Sequence, residues 1–93
     1  MVENSINNIK IKDVDEAQFA EEVIEASKTS AIIVDFWAPW CQPCKQLTPV
    51  LEEVVKESKG EVILAKVNID ENQNLAGQLR IQSIPTVIAF TEG

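Results

Sequence analysis

The sequence has no histidine, only two cysteines and few basic residues. A structural zinc site closes with four ligands, usually Cys or His, so this chain cannot complete one alone. No structural zinc is therefore expected, and the cysteine chemistry read below requires no bound metal or organic cofactor. The 8 Lys and Arg stand against 15 Asp and Glu, for a net charge of −7. Phosphates would be repelled, which argues against nucleic acid or an anionic membrane surface as a partner. No apolar run approaches the length of a bilayer span. The opening Met1-Val2-Glu3-Asn4-Ser5 lacks the basic stretch and apolar run of a signal peptide. A cytoplasmic address is the resulting expectation.

What remains is an ordinary globular composition on a chain of 93 residues, the size of one small domain with little stability to spare. Strand and helix patterns alternate along it. Residues 9–12 read as a short edge strand. A helical pattern follows, with Phe19, Ala20, Val23 and Ile24 on one face and with Asp15 and Glu16 suited to its N-terminal end. The run 31–37, AIIVDFW, reads as a central strand covered on both faces. Next, Leu47, Val50, Leu51, Val54 and Val55 keep the spacing of an amphipathic helix that Gly60 ends. A second buried strand is expected over 62–69, a short helix over 74–79, and a last strand over 86–90. Such interleaving implies an α/β fold, a largely parallel sheet with helices on both faces.

Cys41 and Cys44 fall between the central strand and the next helix, where sheets of this kind place functional loops. In a reducing compartment a Cys-x-x-Cys pair reads as redox-active rather than as a structural staple. Unpaired N–H groups at a helix start stabilise a thiolate, which makes Cys41 the natural nucleophile. Cys44, one turn further in, would resolve the mixed disulfide by attacking Cys41. Pro43 lies in the first turn, where its missing N–H costs little, and it stiffens the loop. Pro49, inside the helix, should kink it.

Two charges interrupt the apolar strands. By alternation Asp35 shares a face with Ile33 and Trp37, and Lys66 shares one with Leu64 and Val62. If the faces coincide, the pair lies beneath the cysteine helix, and a buried Asp35 could take the proton of Cys44. A strand-end aspartate and a solvated lysine fit the spacing equally well. Pro85 reads either as a strand start or as a cis-proline. Trp37 and Trp40 flank the cysteines, either as core or, where exposed, as a surface for docking protein.

In VDFWAPWCQPCK, in the proline of LTPVLEE, in AKVNIDEN and in the IPT of SIPTVIAF, the chain resembles the thioredoxin family from about Ile9 onward. The resemblance implies a thioredoxin-like fold, a central mixed sheet with helices on both faces. It implies Cys41 as nucleophile, Cys44 as resolver, and a buried Asp35 with Lys66 nearby. It also implies a cis Ile84–Pro85 bond against the disulfide, beside which a substrate chain pairs in extended form. Trp40, Pro43, Ile84 and Pro85 then form the substrate face. Protein disulfides would be the substrates, and a thioredoxin reductase would restore the dithiol. Two features depart from the family pattern. Gln42 stands where glycine is usual, and the final strand and helix of the family are absent after Gly93. Residues 1–93 are thus expected to form one incomplete domain, less stable or self-associating through an open strand edge. An alternative follows from Gln42, LTPVLEE and LAGQLRIQSIPTV, which are similar to thioredoxin domains fused to tetratricopeptide repeats. In that reading the domain docks chaperone or unfolded clients, and its redox activity is secondary.

Overall fold

The computed structural model describes residues 10–92, so Ile9 of the expected first strand lies outside the described residues. The elements run β1 (Ile11–Asp13), α1 (Ala20–Glu25, continuing as the 3₁₀ turn Ala26–Lys28), β2 (Ala31–Trp37), α2 (Gln42–Glu57), β3 (Val62–Asn68), α3 (Gln73–Gln78) and β4 (Thr86–Phe90). The four strands form one sheet in the order β1-β3-β2-β4. β1, β3 and β2 are parallel, and β4 joins β2 antiparallel. The sheet is therefore mixed, with its single antiparallel strand at an edge among the described residues.

β2 lies between two neighbours, which explains its nearly unbroken apolar run: both faces are covered. Val34 and Phe36 point to one side, where they meet Val14, Phe19, Val23, Ala65, Val67 and Leu75 in the main core. Helices α1 and α3 contribute to that side through Val23 and Leu75. Phe19 and Phe90 stack edge to face there, with centroids 5.8 Å apart. The other face carries Asp35 and is covered by α2, whose Thr48 reaches it.

α1 is wound more widely than the spacing of its apolar residues suggested: 20–25 adopt a π-helical turn before tightening into 3₁₀. Val23 is nonetheless fully buried. Glu16 corrects one expectation. It does not serve the start of α1; its carboxylate accepts the N–H of Leu75 (3.2 Å), and its own N–H donates to Asn72 Oδ1 (2.8 Å). It thus caps α3 from a distant part of the chain, satisfying an N–H that has no partner within the helix.

α2 passes through Pro49 and ends at Glu57, slightly before Gly60. Lys59 already takes the left-handed conformation (φ 57°) that terminates it, and Gly60 follows at φ 93°. Its apolar stripe is only partly buried. Val55 is enclosed and Leu47 and Leu51 are half-buried, while Val50 and Val54 are exposed, as is Val87 of β4. No element among the described residues covers these three side chains. α3 closes with a Schellman turn in which Ile81 N–H donates to Ala76 and Arg80 N–H to Gly77. Arg80 occupies the left-handed position of that turn at φ 58°.

Candidate active site

From the end of β2 the chain turns through Ala38, Pro39 and Trp40 into α2. Ala38 is fully buried and its carbonyl accepts the Cys41 N–H (3.1 Å), which seats the first cysteine at the helix entrance. Cys41 is the N-cap of α2, with extended backbone, and its sulfur accepts the N–H of Cys44 at 3.2 Å. A sulfur occupies the position where a capping side-chain oxygen is usual. Negative charge on that atom faces an unpaired N–H and the positive end of the helix. Pro43 stands in the first turn, where no N–H is required. The two cysteines are disulfide-bonded, with Cα atoms 5.3 Å apart, so the structure holds the oxidised form of the couple. Burial alone hardly separates them, since both are nearly inaccessible. Their position on the helix is what makes them different.

Around the disulfide lies a small apolar cluster, with Ala38 and both cysteines at its centre and Trp37, Ile69 and Ile84 packed against it. The Ile84–Pro85 peptide is cis. The structure thus brings a residue of the loop before β4 against the cysteines, although about forty residues separate them in sequence. Trp40 extends into solvent, 63% exposed, with its indole N–H on the Asp70 carboxylate (3.1 and 3.2 Å). Gln42 and Pro43 are exposed beside it. Trp37 differs: its indole N–H is buried without a partner among the described residues. Exposed apolar surface around a nearly buried disulfide is what an extended protein chain needs in order to dock.

Asp35 and Lys66 lie directly opposite each other in the parallel register of β2 and β3, so they share the face beneath α2. Asp35 is completely buried. Its Oδ2 accepts the Thr48 hydroxyl at 2.8 Å, whereas Oδ1 has no partner among the described residues. Burial pushes its pKa above the ordinary aspartate value; the Thr48 hydrogen bond and the Lys66 charge pull it back, and Glu52 adds to the rise. Lys66 does not bond to Asp35. Its ammonium pairs with Glu52 of α2 at 3.1 Å.

Thr48, Glu52 and Asp70 were not singled out from the sequence. A signal for the first two was present: Cys44, Thr48 and Glu52 recur every four residues and so fall along one side of α2. Read with the strand alternation of Asp35 and Lys66, that spacing sets a polar stripe against a polar pair. Asp70 offered no such pattern, since its partner is thirty residues away. Among the described residues, no group of three or more His, Cys, Asp or Glu could hold a metal ion. No described helix is long and apolar enough to cross a membrane.

The family model for thioredoxin matches residues 10–93. The chain is similar to a thioredoxin of Rickettsia felis, at 47% identity over 81 residues, covering 87% of this chain and 75% of that protein. A thioredoxin of Chlorobaculum thiosulfatiphilum is 43% identical over 84 residues, covering 90% of this chain and 76% of the relative. Thioredoxin 1 of Synechococcus elongatus is 45% identical over 80 residues, covering 86% and 73% respectively. None of these matches supports the repeat-bearing co-chaperone reading.

Proposed function

The chain belongs to the thioredoxin family, and from that membership we propose a residue-level account of its chemistry. It is a thiol-disulfide oxidoreductase acting on protein disulfides. The observation that carries the proposed roles is the Cys41 sulfur at the N-cap of α2, in contact with the Cys44 N–H. In the reduced protein that N–H and the helix end favour a thiolate on Cys41. The Cys41 thiolate attacks one sulfur of a substrate disulfide, releasing the other as a thiolate and forming a mixed disulfide. Asp35, ionised, takes the proton of Cys44. The Cys44 thiolate then attacks Cys41 Sγ, the bond from Cys41 to substrate breaks, and the second substrate sulfur leaves. Both released thiolates are protonated from solvent and from the Asp35 carboxyl. The substrate gains two electrons and the protein keeps the Cys41–Cys44 disulfide. A thioredoxin reductase restores the dithiol.

Lys66 acts on this scheme through its charge, opposite Asp35, while pairing with Glu52. Trp40, Pro43, Ile84 and Pro85 form the substrate face. Support for that assignment comes from the exposure of Trp40 and Pro43 and from the packing of Ile84 on the cysteine cluster. An extended chain pairing with backbone beside Pro85 would position its disulfide over Cys41. No cofactor enters the scheme, because the exchanging sulfurs carry both electrons. Residues 10–92 act as one unit around the shared sheet, and the β4 edge, where Val87 is exposed, is the surface through which copies would associate.

The test is reduction of insulin disulfides with dithiothreitol as the terminal reductant, comparing the protein with Cys41→Ser after both are shown to be folded. Turnover above the dithiothreitol background that vanishes in the variant is expected. Equal turnover by the two would contradict the assignment of the nucleophile.

A further inference from the structure

The two oxygens of Asp35 stand in different surroundings. One accepts a hydrogen bond from α2 and the other has no partner among the described residues. The donor is Thr48, one helical turn after Cys44, and α2 runs back over the face of β2 that carries Asp35. Residues four apart on a helix are neighbours on its surface, so the hydroxyl that grips the carboxylate sits next to the buried resolving cysteine. Lys66, the obvious candidate for fixing the carboxylate, is engaged elsewhere, with its ammonium on Glu52. From β4 the residue opposite Asp35 is Val87, which has no charge or hydrogen-bonding side chain to offer.

We propose that Thr48 is a positioning residue of the exchange reaction: by donating to Asp35 Oδ2, it leaves Oδ1 as the oxygen that receives the Cys44 proton. The inference rests on the reading of Asp35 as proton acceptor. A carboxylate with one oxygen pinned cannot rotate freely, and its free lone pairs keep a fixed direction. The proton moves from Cys44 Sγ to Oδ1, and the Cys44 thiolate attacks Cys41 Sγ in the mixed disulfide, breaking the bond to the substrate sulfur, which leaves as a thiolate. The carboxyl later gives the proton up, while the Thr48 hydrogen bond to Oδ2 is retained throughout. The same hydrogen bond stabilises the charged form of Asp35 in a place where burial opposes it. The charged groups that act on the carboxyl are Lys66 from β3 and Glu52 from α2, and Val87 is its neighbour from β4. Of these, Glu52 and Lys66 are paired to one another.

Thr48→Val keeps the shape and removes the hydroxyl. Asp35 then holds its proton to higher pH and is a less available acceptor near neutrality. Single-turnover oxidation of the reduced protein by insulin, followed across pH by tryptophan fluorescence, should be about tenfold slower at about pH 7 in Thr48→Val. The loss should close as the pH is raised, and the midpoint of the pH-rate profile should move upward. KM for insulin should be unchanged, and Thr48→Ser should restore the original profile. Asp35→Ala is run alongside, with near-ultraviolet circular dichroism as the check of folding for every variant. A Thr48→Val profile superimposable on the original, with Asp35→Ala altered, would overturn the role of Thr48 alone. If Asp35→Ala also left the profile unchanged, the reading of Asp35 itself would fall. A shift to lower pH, or a uniform loss at every pH that serine does not rescue, would likewise overturn the proposal.

Discussion

Asp35→Ala is expected to stabilise the folded protein at alkaline pH, the reverse of what deleting a fully buried side chain usually does. Burial raises the folded-state pKa of Asp35 above its ordinary value of 3.8. The folded state therefore binds this proton more tightly than the unfolded state. The resulting stability is fully present below the unfolded pKa and is lost as pH rises through the folded pKa. Above that point the protein holds a buried carboxylate with one oxygen unpartnered, which costs about 1–3 kcal/mol or more for a charged group. Alanine removes that cost. Against it stands the Thr48 hydroxyl left without its acceptor, about 0.5–1.5 kcal/mol, moderated because Thr48 is only half-buried. A net gain of about 0.5–1.5 kcal/mol at alkaline pH follows from those two terms. For a domain of this size that corresponds to a rise in Tm of roughly 4–8 °C per kcal/mol. Urea unfolding of the oxidised protein and of Asp35→Ala, at a series of pH values from acidic to alkaline, measures the difference. The two stability curves should diverge as pH rises. Curves that stay parallel, with the variant less stable throughout, would refute the argument that Asp35 carries an uncompensated charge.

Arg80 occupies a left-handed position that glycine adopts without steric cost, so Arg80→Gly should raise stability in urea by up to about 1 kcal/mol. Destabilisation would mean that the Arg80 side chain makes a contribution its exposed position does not suggest. Glu16→Ala removes a carboxylate from the N–H of Leu75, at an expected cost of about 0.5–2 kcal/mol. The loss should appear as faster amide exchange in α3, and exchange faster in α1 alone would contradict the capping role. Phe36→Ala empties a fully buried position on β2 and should cost about 3–5 kcal/mol, read as a lower urea midpoint.

How far the sequence disclosed this structure depended on how local each cause was. β2 was legible residue for residue, because the buried run AIIVDFW is set off from the helices on either side. β3 and β4 were legible for the same reason, and the cysteine pair declared its chemistry through its place between a strand and a helix. α1 was read as helical, but nothing in its periodicity announces a π-helical turn. Glu16 was assigned to the nearest helix, whereas its partners at Asn72 and Leu75 come close only after β3 is paired. Alternation assigned Asp35 and Lys66 each to a face of its own strand and left open whether the two faces coincide, which the register of β2 against β3 decides. Their actual partners, Thr48 and Glu52, depend on how α2 is seated over the sheet, and strand spacing carries no information about that. Val50 and Val54 satisfied the helical rule and yet are exposed, because the rule records which residues share a face and not whether anything covers it.

The order in which the two sulfurs act decides the mechanism most directly. Reduced Cys44→Ser, mixed with insulin, quenched in acid and analysed by mass spectrometry, should accumulate as a mixed disulfide joining an insulin chain to Cys41, released by dithiothreitol. Normal insulin turnover by this variant, with no trapped adduct, would contradict the assignment of Cys41 as nucleophile and Cys44 as resolver.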